Sequence, residues 1–234
     1  SVVIDLKSKD GKKKFLSLVE KADVLVENFR PGVMDKLGLG FNSLKKINNR
    51  LIYAAISGFG NPQFGKSPYL YWPSYDVVAQ AMGGIIGITG PDKNTPTKVG
   101  PGVGDIFSGL MMSCGIISAL RMAEKTSKGQ FIDLSMYDAV LSLCERIIYQ
   151  YDFDNSIPKP EGNGHPLLVP FGIYKSKDGH IALGIVDNSF WKILTNIIGN
   201  KELVDNRKYE TIESRQNNAK SLNSIIESWT RTKT

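Results

Sequence analysis

Apolar positions along this chain repeat at two spacings, and the switch between them marks out its elements. "SVVIDL" (Ser1 to Leu6) is short and β-branched and reads as a strand. "KDGKKKFLSLVEKA" follows with Phe15, Leu16, Leu18 and Val19 at helical spacing. "DVLVEN" (Asp23 to Asn28) is a second strand. In "RPGVMDKLG", Pro31 falls in a first helical turn and Gly38 at a stop. "FNSLKKINNR" is a short helix, and "LIYAAISGFG" (Leu51 to Gly60) is a third strand ending in a glycine-rich loop. Residues 58–74 read as loop, and "YDVVAQAMGGIIGITG" (Tyr75 to Gly90) as a helix broken at Gly83 and Gly84. After the loop "PDKNTPTKVGPGVG" come a long helix (Ile106 to Lys125), a strand ("GQFIDLS") and a further helix ("MYDAVLSLCERIIYQY"). Strands that alternate with helices predict an α/β fold: a parallel sheet covered by helices.

The pattern changes after residue 151. "DFDNSIPKPEGNGHP" (Asp152 to Pro166) is rich in Pro, Asn and Gly and reads as a linker. "FGIYKSKDGHIALGIVD" predicts a β-hairpin with Asp178-Gly179 at its turn. "NSFWKILTNIIGN" predicts an amphipathic helix capped by Asn188 or Ser189, and the tail from about Glu202 to Thr234 is polar and helical. The expected organisation is one domain over residues 1–151, a linker over 152–166 and a smaller α+β domain over 167–234. The chain begins inside a strand and ends without a stop signal, as a fragment would.

Charge narrows the classes. Lys and Arg number 29 against 23 Asp and Glu, a net charge of +6, but the excess is spread. The dense run Lys9 to Lys14 sits at a solvated helix start, so no nucleic-acid face is predicted; a mild pull on a polyanionic ligand remains open. Cys114 and Cys144 lie in apolar helical patterns, which predicts buried thiols in a reducing compartment. The only histidines are His165 and His180, without metal-ligand spacing, so no metal is predicted. No continuous apolar run reaches about 18 residues and no signal peptide is visible, so no membrane span is predicted. The expected location is the cytoplasm, or a mitochondrion or peroxisome in a eukaryote.

Two glycine-rich stretches invite chemistry. "GNPQFGKS" (Gly60 to Ser67) fits the phosphate-cradling pattern G-x-x-x-x-G-K-[ST]. Such a loop needs a helix starting at Lys66, so that amide N–H groups face the phosphate. Here Pro68 and Pro73 bracket "YLYW", and Pro62 removes one donor. A loop that matches by chance is the reading; a P-loop nucleotide-binding protein stays as the alternative. "VGPGVGD" places Asp105 before an apolar helix of small residues. Local sequence alone makes Asp105 a helix cap, held ionised by free N–H groups and the helix dipole.

Taken in order, "DVLVENFRPG", "SGFG", "YDVVAQAMGG", "VGDIFSGLMMSCGIISAL", "KGQFIDLSMYDAV" and "GNGHP" with "GIYKSKDG" resemble the class III CoA-transferase family. That family holds formyl-CoA and carnitine-CoA transferases and 2-methylacyl-CoA racemases. The resemblance covers roughly residues 1–200. It implies a Rossmann-like CoA-binding domain, a smaller domain after a linker, and two chains interlaced as a homodimer. Members extend beyond both ends of this sequence.

The resemblance also implies roles. Asp105 stands where the transferases carry their nucleophile, which forms an anhydride and then a thioester with CoA. Gly102 and Gly104 would keep side chains clear of that thioester. Tyr75 and Asp76 would line the acyl site. Racemases carry histidine at position 75, and tyrosine, with an ordinary pKa of about 10, is a poor base near neutrality. Asn28, Phe29 and Arg30 match residues that contact CoA, and Lys36 falls where a basic residue meets its phosphates. A lysine found in some transferases at position 73 is Pro73 here. Gly162, Asn163, Gly164 and His165 match a glycine-rich loop that closes over the intermediates. Gln80, within "VVAQA", reads as structural. The implied partners are acyl-CoA and small carboxylic acids, with CoA as substrate.

Overall fold

Three short strands alternate with helices from Lys9 to Asp154, and a hairpin with helices follows from Phe171. The structure is a computed structural model that describes residues 1–200, 203 and 206–234. The chain divides into two units: Ser1–Thr89 with Pro96–Pro158, and Gly90–Thr95 with Lys159–Thr234.

In the first unit, β1 (Val24–Glu27), β2 (Ile52–Ser57) and β3 (Phe131–Ser135) form a parallel sheet in that order. β1 meets β2 from Val24 opposite Ile52 to Glu27 opposite Ala55. β2 meets β3 from Tyr53 opposite Phe131 to Ser57 opposite Ser135. The central strand is covered on both faces, which is why "IYAAI" reads as a continuous apolar run rather than an alternating one. Tyr53 and Ala55 face a cluster of Val19, Leu39, Leu44 and Leu51, supplied by α1 (Lys9–Val19), α2 (Val33–Lys36), α3 (Phe41–Leu44) and their loops. Ile52 faces Ala119 and Ala123 of α5 (Val103–Thr126). A further cluster joins Ala79 of α4 (Asp76–Met82) to Met136 and Val140 of α6 (Met136–Leu143). α4, α5 and α6 thus pack as a group beside the sheet.

The second unit holds the antiparallel pair β4 (Phe171–Lys175) and β5 (His180–Gly184), with α8 (Asn188–Ile198), α9 (Ile212–Asn217) and α10 (Ala219–Thr230). Its core is Val169, Tyr174, Ile185, Trp191, Leu194, Tyr209, Leu222 and Ile226. Arg215 is buried within it. Its guanidinium donates to Val169 O, Tyr209 O, Glu210 O and Asn188 Oδ1 at 3.1, 3.0, 3.3 and 3.0 Å, and lies 5.2 Å from the Trp191 ring centroid.

Several expectations are corrected. "SVVIDL" forms no strand: no neighbour among the described residues pairs with it in a sheet, and Val3 is 99% exposed. Pro31 precedes α2, whose cap is Gly32 in the left-handed region. α5 starts at Val103, three residues earlier than expected. The helix after β3 breaks at Cys144, and α7 (Glu145–Asp154) extends into the stretch read as linker. Asp187, not Asn188 or Ser189, caps α8 through the Ser189 and Phe190 N–H groups. Cys114 is exposed, and only Cys144 is buried. Glu202, where the helical tail is expected to begin, lies outside the described residues. α5, with 24 residues, is long and apolar enough by length and composition to cross a membrane, though little of it is buried.

Candidate active site

The carboxyl ends of all three parallel strands open onto one cavity of about 490 Å³. Asn28, Phe29, Arg30 and Pro31 follow β1, Ser57 and Gly58 end β2, and Met136 follows β3. In an open α/β sheet that is where ligands bind, because side chains and loops diverge there and leave a crevice. The remaining wall comes from Trp72 and Tyr75 before α4, and from Asp105 and Ser108 on the first turns of α5.

The loop after β1 is set by its own polar atoms. Asn28 Nδ2 donates to Ile56 O at 2.6 Å, tying the loop to β2, and the Phe29 N–H donates to Glu27 Oε2 at 2.6 Å. Burial pushes the Glu27 carboxyl up. Phe29 is half exposed, and Arg30 lines the cavity with no side-chain hydrogen bond or ion pair among the described residues. Arg30 is the one cation and Asp105 the one carboxylate among the described lining residues. Lys36, on the last turn of α2, is exposed and does not line the cavity.

Asp105 is the third residue of α5, not its cap; Gly102 holds the cap position without a side-chain bond. The cap reading is therefore corrected, and a tertiary contact takes its place. The Gly104 N–H donates to Asp76 Oδ1 at 2.8 Å, so a carboxylate from α4 satisfies a free donor of α5. Gln80 Nε2 donates to Asp76 Oδ2 at 2.8 Å, and the Val99 N–H donates to Gln80 Oε1 at 2.9 Å. Asp76 thus has both oxygens engaged and does not line the cavity, whereas Tyr75 does. The Asp105 carboxylate has no hydrogen-bond or ion-pair partner among the described residues. Partial burial, and then the Asp76 charge, push its pKa above the ordinary aspartate range. The expectation that free N–H groups hold it down is corrected, because Asp76 occupies the Gly104 donor.

The glycines also have another explanation. A Cβ at Gly104 would stand 3.1 Å from Asp76 Oδ1 and 3.2 Å from Ala79 Cβ. Gly104 is glycine because α5 crosses α4 closely there. A Cβ at Gly102 would lie 3.6 to 3.7 Å from atoms of both Asp76 and Asp105. Neither glycine lines the cavity.

Gly162, Asn163, Gly164 and His165 belong to the second unit, and the cavity is built from the first. Gly162 has φ +59, and its N–H donates to Gly90 O at 3.0 Å. Asn163 O accepts the Ile173 N–H of β4 at 3.2 Å. His165 Nδ1 accepts the Leu167 and Leu168 N–H groups, both at 3.1 Å, which puts the ring proton on Nε2. The P-loop alternative fails on geometry: no helix begins at Lys66, the Asn61 N–H is spent on Asp133 Oδ2 at 2.9 Å, and the Ser67 hydroxyl accepts from Tyr69 N. Ser57, Trp72 and Ser108 were not singled out in the sequence. Their signal is positional only: the last residue of a central strand, an aromatic in a loop, and a serine one turn beyond Asp105.

The family model for CoA-transferase family III matches residues 1–234. The chain belongs to that family. It is 41% identical over 232 residues to a succinyl-CoA:mesaconate CoA-transferase of Haloarcula hispanica, covering 99% of this chain and 58% of that one. It is 39% identical over 228 residues to an acetyl-CoA:oxalate CoA-transferase of Acetobacter aceti, covering 97% and 58%. A human succinyl-CoA:glutarate CoA-transferase is 32% identical, covering 97% and 51%. Among solved structures, a CAIB/BAIF family protein from Brucella suis superposes with TM-score 0.84 at 34% identity, covering all of this chain and 61% of that one. This family III chain therefore spans a little over half the length of these relatives.

Proposed function

We propose that the protein carrying this chain moves CoA from an acyl-CoA donor to a carboxylic acid, with Asp105 as the nucleophile. The supporting observation is an aspartate without a partner, set at a cavity where three parallel strands end. The names of the relatives support small acids as the exchanging pair, with a di-acid such as oxalate, mesaconate or glutarate on one side.

The steps balance without water or nucleotide. The Asp105 carboxylate attacks the thioester carbon, the C–S bond breaks, and CoA leaves as thiolate from a mixed anhydride. The thiolate attacks the aspartyl carbonyl and releases the donor acid, leaving an aspartyl-CoA thioester. The acceptor carboxylate attacks that thioester and expels the thiolate, and the thiolate then takes the acceptor acyl group and frees Asp105. Splitting one hard exchange into four acyl transfers is the gain from covalent catalysis. Keeping the thiolate beside the anhydride supplies effective concentration. Asn28, Phe29 and Arg30 are the proposed CoA contacts, with Arg30 set to meet an anionic group. Racemisation has no supporting base at position 75.

We also propose that the protein forms a homodimer. Ile106, Leu110 and Ile117 share one face of α5 and are 66, 58 and 67% exposed, an apolar face of the kind a second copy covers. The chemical test uses full-length enzyme with acyl-CoA and hydroxylamine, which converts an aspartyl thioester or anhydride to a hydroxamate. Mass spectrometry is expected to find that modification on Asp105. An active enzyme with unmodified Asp105 sinks the mechanism.

A further inference from the structure

Gln80 is completely buried (0% exposed) in an otherwise apolar turn of α4, beside Ala79. A leucine or methionine would fill that space without bringing polar atoms into the core. Instead the side chain uses both ends of its amide. Nε2 donates to Asp76 Oδ2 at 2.8 Å, and Oε1 accepts the Val99 N–H at 2.9 Å. Asp76 Oδ1 in turn accepts the Gly104 N–H at 2.8 Å. Three hydrogen bonds in series therefore join the loop before α5, the start of α4 and the first turn of α5. The next residue on that turn is Asp105. A buried polar network that is fully satisfied fixes one geometry, and that is what an apolar side chain could not supply.

We propose that Gln80 is a positioning residue for the nucleophile: it holds Asp76 in the orientation that caps α5, and so sets where Asp105 points and where its nearest negative charge sits. This rests on the reading of Asp105 as the nucleophile. The Asp76 charge is the one that bears on Asp105. The other charged or titratable groups around the network are Arg30 and Tyr75 at the cavity, and Lys98, whose ammonium donates to Val99 O and Gly100 O at 3.3 Å. From α6, packed on α4 and α5, they are Tyr137 and Asp138.

The test uses the full-length protein, with CoA exchange assayed from pH 5.5 to 8.5 well below the melting temperature. Gln80→Glu keeps the shape but sets two carboxylates face to face once ionised. Its kcat relative to wild type is expected to fall at least tenfold above pH 7. It should recover toward pH 5.5, where the introduced carboxyl is protonated and again donates to Asp76. The double variant Asp76→Asn with Gln80→Glu restores the three bonds of the series and leaves unmade only the long bond from Gln80 Nε2 to Pro101 O (3.5 Å). The new amide at position 76 accepts from Gly104 and donates to the new carboxylate at position 80, which still accepts from Val99. Its activity is expected within threefold of wild type throughout. Gln80→Met, close in length and volume, should lower kcat tenfold or more with the KM for acyl-CoA unchanged. These two variants decide the matter if Gln80→Glu does not fold. A uniform loss across pH that the double variant does not rescue, or a Gln80→Met enzyme with normal kcat, overturns the proposal. Asp105→Ala separates the two readings: if it retains exchange, the nucleophile assignment fails, whereas a dead Asp105→Ala beside a normal Gln80→Met removes only the role of Gln80.

Discussion

Gly104→Ala sets helix propensity against packing at the start of α5. Alanine is favoured over glycine by about 1 kcal/mol in a helix interior, and by less in the first turn. Against that gain, the new methyl would stand 3.1 Å from Asp76 Oδ1, 3.2 Å from Ala79 Cβ and 3.3 Å from Asp76 O. Ala79 Cβ and Asp76 O are fixed to the α4 backbone and cannot rotate away. Relief therefore needs α4 and α5 to separate by a few tenths of an ångström, which also stretches the Gly104 N–H bond to Asp76. Overpacking of this kind costs about 1–3 kcal/mol. The net expectation is a loss of about 1–2 kcal/mol, or roughly 2–8 °C in Tm at 2–4 °C per kcal/mol for a chain of this size. Differential scanning calorimetry reads the shift, and an exchange assay reads the displaced Asp105 as a lowered kcat. A Tm equal to or above wild type would mean that propensity wins, and that the close crossing of α4 and α5 is looser than these distances require.

Other substitutions test separate parts of the molecule. Asp105→Asn should abolish exchange and modestly raise Tm at neutral pH. The folded pKa of Asp105 lies above the ordinary value, so its ionisation opposes folding, and the opposition is relieved as pH falls through that raised pKa. The same direction places the acid limb of the wild-type activity profile above the ordinary aspartate range, which a pH–rate profile checks. Arg215→Met should destabilise the second unit by about 3 kcal/mol, because Val169 O, Tyr209 O and Asn188 Oδ1 lose a buried charged donor. Arg215→Lys should cost nearly as much, since one ammonium cannot span that fork; chemical denaturation measures both. Ile117→Lys, on the exposed face of α5, should shift full-length protein toward monomer in light scattering. An unchanged mass removes that face from the dimer proposal.

The alternation of strands and helices was legible because β2 is apolar throughout and the helices carry one buried face. "SVVIDL" misled because β-branched composition describes a strand's side chains, whereas a strand exists only where a neighbour completes its hydrogen bonds. Asp105 was legible as a residue of interest from its glycines, but not its true setting. The donor that local sequence offered to Asp105 is taken by Asp76, 29 positions earlier in the chain than Asp105, and no window of neighbouring residues contains that pairing. Gln80 was legible as structural, but its reach was not: Asp76 is one turn away on the same helix, whereas Val99 lies 19 positions on, in the loop before α5. The P-loop match failed in the opposite way, since eight letters fit while the required helix does not form.

Two aspartates at the mouth of this sheet thus divide the work that one was expected to do. Asp76 has both carboxylate oxygens engaged by donors, from Gln80 and Gly104, and it serves as the helix cap. Asp105, one residue beyond the donor that Asp76 takes, is left without partners among the described residues and with its carboxyl pushed up by burial and by that same charge. A carboxylate solvated by several hydrogen bonds is a weak nucleophile, because those bonds must be given up as charge moves onto the attacked carbon. The Gly104 donor that Asp76 takes is one that Asp105 does not have to give up. On the proposed mechanism the structural aspartate, by taking the Gly104 donor, leaves the other one available for attack.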